Sequence, residues 1–175
     1  MTAPIDPSAL GHPMATVTLV DDFATTGLVV DGLPDGWRKV RRDAEIVTVS
    51  DLWLDVAEAE QQAALDPEER FVSNALATAW RLADLPVPAE HLLEFAKAMT
   101  SGVTGWQLRG NDEDVVNACG STLLGTLDSP FGQLVSNSHA VIQTQPDGSY
   151  VLAQLAVTAL PHHGDTLDAV RLRPV

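Results

Sequence analysis

The sequence predicts an α+β domain: an antiparallel sheet built from β-meanders at the N- and C-terminal ends, packed against a central group of three to four helices. Three observations predict it. Residues 139–160 read as strand, turn, strand. The N-terminal third sets short β-branched runs between turn residues, and the middle carries helix start and stop signals. Like elements that come in runs, without strict alternation, point to α+β with antiparallel pairing.

The C-terminal hairpin is the firmest element. His139-Ala-Val-Ile-Gln-Thr-Gln-Pro146 leads into Asp147-Gly148, and Tyr150 to Leu160 follows. Proline presets the first turn corner and glycine accepts positive φ, so Pro-Asp-Gly suits a type I turn with a glycine bulge. Pairing Gln145 with Ser149 sets Ile142 opposite Leu152, Val141 opposite Ala153 and His139 opposite Leu155. Val151, Ala153, Leu155, Val157 and Ala159 share one wholly apolar face, and the other face is mixed. Such a strand is central, with partners on both sides. The second partner is expected at Leu167 to Arg173, which completes a three-strand meander.

In chain order, residues 1–13 hold Pro4, Pro7 and Pro13 and read as a flexible arm, and 14–175 read as a single domain. Met14 to Val20 and Thr26 to Val30 are predicted strands. Pro34-Asp35-Gly36 is a second Pro-Asp-Gly turn, and strands follow at Trp37 to Arg42 and Glu45 to Val49. A first helix is predicted from Ser50 or Asp51 over Leu52, Val56, Ala59 and Ala63. Asp66-Pro67-Glu68-Glu69 starts a second, with Phe71, Ala75, Ala79 and Leu82 in its stripe and Pro86 as its stop. Pro88 starts a third over Leu92, Phe95, Ala96 and Met99. After a short strand at Trp106 to Arg109, Asp112 caps a fourth over Val115, Val116, Cys119 and Leu123, and Thr126 to Gly132 is a loop.

Charge and cysteine usage exclude several classes. Twenty-four Asp and Glu against ten Lys and Arg leave a net charge of −14. Nucleic-acid and anionic-membrane surfaces rest on Lys and Arg, so neither partner is expected. No apolar run approaches the ~18 residues of a membrane helix. A lone cysteine, Cys119, excludes an internal disulfide framework and fits a reducing compartment, so a cytoplasmic location is expected.

The candidate chemistry is sparse. His162-His163-Gly164-Asp165 offers two imidazoles and a carboxylate, which are metal-ligand types. Neighbours on a strand end point to opposite faces, however, and no second Cys or His cluster stands at finger spacing. No metal and no cofactor are therefore expected. His139 starts the first hairpin strand and His162-His163 end the second, so the three histidines are expected at one sheet edge as candidate catalytic residues. Ser138 and His139 do not make a triad, because sequence neighbours do not face each other. Trp37 beside Arg38, Arg41 and Arg42 is the candidate partner-binding patch: a partly exposed tryptophan in the one basic run. Residues 51–70 carry seven acids against one arginine, a second contact surface.

No motif fixes an activity. The expectation is a small acidic soluble intracellular protein, a non-enzymatic binding domain of regulatory or inhibitor-like kind with a protein partner. The alternatives are a small enzyme using the histidine cluster, or a self-associating structural domain that forms a homodimer.

Overall fold

The computed structural model describes residues 16–40, 51–84, 88, 90–109, 115–116 and 120–175. The arm at 1–13, the strand at Glu45–Val49, Arg41, Arg42, Pro86, Asp112 and Cys119 lie outside them.

Strands dominate the described residues, in contrast to the expected group of helices. They run β1 (Thr16–Leu19), β2 (Leu28–Asp31), β3 (Trp37–Val40), β4 (Asp51–Asp55), β5 (Asn74–Ala83), β6 (Trp106–Leu108), β7 (Val115–Val116), β8 (Gly120–Ser129), β9 (Gly132–Thr144), β10 (Tyr150–Ala159) and β11 (Arg171–Pro174). The α-helices are α1 (Val56–Gln61) and α2 (Glu90–Ser101), and 3-10 turns form at Phe23–Thr26, Pro67–Glu69 and Pro161–Ala169. Nine strands make one antiparallel sheet in the order β3-β4-β5-β10-β9-β8-β6, with β1 also on β5 and β7 on β8; β11 and β2 form a separate pair. No helix among the described residues is long and apolar enough to cross a membrane.

The hairpin forms with the expected register: Ile142 opposite Leu152, Val141 opposite Ala153 and His139 opposite Leu155. Gly148 takes φ +83°, and the Gln145 amide donates to the Ser149 carbonyl at 2.7 Å. β10 is central, as its two-sided apolar pattern requires. Its second partner, however, is β5, from Tyr150 opposite Leu82 to Thr158 opposite Asn74. The segment expected there divides into the 3-10 turn and β11, and β11 pairs with β2 instead. Among the described residues the expected N-terminal strands do not pair with one another: β1 joins β5, β2 joins β11 and β3 joins β4.

Three of the expected helices are overturned in part or whole. Asp51–Asp55 is a strand, and only the single short helix α1 follows it. The Asp66-Pro67 start signal produces one 3-10 turn, and Arg70 is already extended. The Phe71-to-Leu82 stripe becomes β5, the neighbour of β10. Alanine favours helices in isolation, but in β5 it alternates with larger residues. Ala75, Ala77 and Ala79 are fully buried on one face, where their small side chains admit Phe23, Leu28 and Trp37. Packing overrides propensity here. Of the expected fourth helix, Val115–Val116 form β7 and Leu123 lies in β8; the loop expected at Thr126–Gly132 is the end of β8 and a tight turn, Ser129 pairing with Gly132. Of the four, α2 alone forms where it is expected; Leu92 and Ala96 are buried and Phe95 partly so, but Leu93 completes the inner face and Met99, expected inward, is 41% exposed.

Both faces of the sheet are covered. On one, α2 packs over Trp80, Leu82, Ala140, Ile142 and Leu152. On the other, the β2–β11 pair and the 161–169 turn supply Leu28, Leu167, Val170 and Leu172 over Val151, Ala153, Leu155 and Val157. Leu152, Leu155 and Val157 are wholly buried, each contributing about 1.5–3 kcal/mol. The turn that follows β10 is thereby pinned to the sheet, and this pinning positions the site.

Candidate functional site

Asp55 ends β4 and caps α1, its Oδ1 accepting from the Glu58 amide at 3.1 Å. Asp-x-x-Glu is capping-box spacing, but the Glu58 side chain does not turn back. It points across the chain, where Oε2 accepts from the Ser73 amide at 2.7 Å and Oε1 from the Ser73 hydroxyl at 3.0 Å. Ser73 Oγ in turn accepts from the Leu160 amide at 3.0 Å. A buried carboxylate is thus fastened to the start of β5 and the end of β10 at once.

The two histidines come from the other side. Pro161 opens the 3-10 turn, and in a 3-10 turn successive residues rotate by about 120° rather than alternating across a plane. The strand-end geometry that separates neighbouring side chains therefore does not apply, and the imidazoles stack with centroids 4.1 Å apart. His163 Nε2 lies 3.0 Å from Glu58 Oε1 and 3.2 Å from Asp55 Oδ2, and His162 Nε2 lies 3.2 Å from Glu58 Oε1. Asp55, Glu58 and His163 are buried, whereas the His162 side chain is 61% exposed. The far end of the turn is held by Asn137, whose Nδ2 donates to the Leu167 and Val170 carbonyls. Arg109 bonds to Gly164 O at 3.3 Å and pairs with Asp168.

His139 does not join them. β9 begins seven residues before it, at Gly132, so His139 sits mid-strand opposite Leu155, whereas Val135 faces Ala159 at the end of β10. Four strand positions amount to about 13 Å. Its Nδ1 accepts from the Leu172 amide at 2.8 Å, which fastens β11 to the main sheet. Ser138 faces the opposite side of the sheet, bonded to Thr100 at 3.0 Å and Gln154 at 3.3 Å.

Trp37 is also placed differently from expectation. It is 5% exposed, edge-on to His163 with centroids 5.6 Å apart, and so lines the buried cluster. The β3–β4 pairing turns its face inward. Arg38 remains exposed, and Lys39 pairs with Asp51 at 2.7 Å. Beside the cluster lies an open cleft of about 560 Å³, lined by Gln62, Glu68, Glu69, Phe71, Pro130, Phe131 and Leu160. Gln62 follows Glu58 by one helical turn and its side chain clamps the Phe71 backbone; the Phe71 and Phe131 rings stand 5.6 Å apart.

Sequence reading missed Asp55, Glu58 and Ser73. The Asp-x-x-Glu spacing could have located α1, but nothing local announces a partner 105 positions away. No protein-family model matches this chain, and no curated protein matches it. Among solved structures it is similar to the crystal structure of LpqN, described as involved in cell envelope biogenesis of Mycobacterium tuberculosis, at TM-score 0.63 and 17% identity, covering 91% of this chain and 92% of that one. At that identity the likeness is one of fold.

Proposed function

We propose that this protein is an interaction domain that takes a cationic segment of a partner protein, anchored by an apolar side chain, in the Phe71–Phe131 cleft. The observation that carries this reading is an aromatic cleft with an acidic rim on a strongly acidic chain. Phe131 is 40% exposed at the tip of the β8–β9 turn. Glu68 and Glu69 line the cleft with the two rings, and the chain carries a net −14. Burying a ring and an inserted anchor supplies affinity, and complementary charge speeds encounter and rejects acidic competitors.

Peptide display panned on the immobilised full chain tests it. Enriched peptides are expected to carry Lys or Arg beside an aromatic or aliphatic residue. Synthetic copies should bind about tenfold more weakly to Phe131→Ala and to the Glu68→Lys/Glu69→Lys double variant, and more weakly in high salt. Enrichment of neutral or acidic peptides, or binding indifferent to both variants, overturns the reading.

A further inference from the structure

Glu58, His162 and His163 present one carboxylate oxygen and two imidazole nitrogens to a common point, all three ligand atoms lying within 4.8 Å of one another. We propose that they form a divalent transition-metal site and that zinc is the ion it takes. The inference does not depend on the peptide cleft.

The donor set selects the ion class. Two imidazole nitrogens and one carboxylate oxygen suit zinc and its neighbours, whereas calcium and magnesium call for oxygen throughout and cuprous copper for sulfur. The spacing fits as well. Bonds of about 2.0–2.1 Å in a tetrahedron place ligands about 3.3 Å apart, and Glu58 Oε1 stands 3.2 Å and 3.0 Å from the two Nε2 atoms. Both distances lie within a few tenths of an ångström of that spacing, and the exposed His162 ring is free to adjust about an ion.

Charge points the same way. Asp55 and Glu58 are 7% and 6% exposed, and their ion-pair partners among the described residues are the two histidines. Two buried carboxylates that share His163 as a partner need compensating positive charge, which a bound cation supplies. His163 Nε2 makes its hydrogen bond to Glu58 Oε1, with Asp55 Oδ2 3.2 Å away; a metal held by Nε2 and Glu58 would take the place of that hydrogen bond.

The support around the ligands is of the kind that metal sites use. Ser73 fixes Glu58 through both carboxylate oxygens, and Leu160 fixes Ser73. Asn137 and Arg109 hold the histidine turn from behind. Exposure of His162 leaves an entry path and a fourth position for water or a ligand donor.

The full chain, stripped with chelator, is titrated with zinc chloride by calorimetry. About one equivalent should bind and raise the melting temperature, and Trp37 emission should change because its ring touches His163. Cobalt(II) in place of zinc should give the visible absorption of a four-coordinate ion. His162→Ala removes an exposed ligand and spares the buried bonds, so it should fold and bind zinc at least about tenfold more weakly. His91→Ala, on the exposed side of α2, should bind like the parent, as should the Glu68→Lys/Glu69→Lys cleft variant. Absence of stoichiometric binding, or equal affinity in His162→Ala, overturns the proposal and leaves a hydrogen-bonded polar cluster only.

Discussion

His139 shows how one side chain can tie two sheets together. Burial, and then the Arg171 guanidinium, push its imidazole from 6.5 down to about 4. The neutral ring accepts the Leu172 amide through Nδ1. Because the folded value lies below the unfolded one, the unfolded chain binds more protons between the two. The contribution is therefore complete above pH 6.5, is lost as pH falls, and levels off below about 4; it amounts to at most about 3 kcal/mol. Urea denaturation of the parent and of His139→Gln at about pH 7.5 and about pH 4.5 measures it. The parent should lose more stability on acidification than the variant, and the His139 ring should titrate near 4 by NMR. A midpoint near 6.5 with equal acid losses would rule this out.

At the scale of the element, β8 and its neighbours show why residues that read as helix and loop became strands. Gly125 lies opposite the edge strand β6, and a Cβ there would stand 2.5 Å from the Trp106 ring and 2.6 Å from the Gln107 carbonyl. Glycine at 125, a poor residue for most strand interiors, lets the indole lie on the backbone. Gly125→Ala should cost about 1–3 kcal/mol through overpacking and shift the indole. Thermal denaturation with tryptophan emission reads both, and an unchanged melting temperature would mean that β6 does not pack on that backbone. The 161–169 turn makes the complementary point. Because it is 3-10 and not strand, two adjacent histidines reach one carboxylate.

For the whole molecule, protection should follow the layering. β5, β10, β9 and β8 have neighbours on both sides, and the sheet centre lies under α2 on one face and the β2–β11 pair on the other. Native-state hydrogen exchange should find the slowest amides in β5, β9 and β10 and faster ones in the edge strands β3 and β6. Slowest exchange in α2 would instead identify the helix as the stable nucleus. The edges themselves are short: β6 has three residues, and β3 carries exposed Arg38 and Lys39, features that discourage strand addition.

The sequence by itself determined what neighbouring residues decide among themselves. Pro146-Asp147-Gly148 dictates the hairpin register because turn chemistry acts over a few positions, and the apolar pattern of Tyr150–Ala159 requires a strand covered on both faces. Pro88 and the stripe after it suffice for α2. Only the tertiary structure decided which strand lies beside β10. Residues 74–83 satisfy a helical stripe and a strand alternation equally well, and burial between β4 and β10 selects the strand. The site belongs to the same class. Glu58 and His163 lie 105 positions apart, and no local rule brings them together. Their meeting follows from the β5–β10 pairing, from Ser73 clasping Glu58 and Leu160 together, and from a 3-10 turn whose rotation aims both histidines at one oxygen.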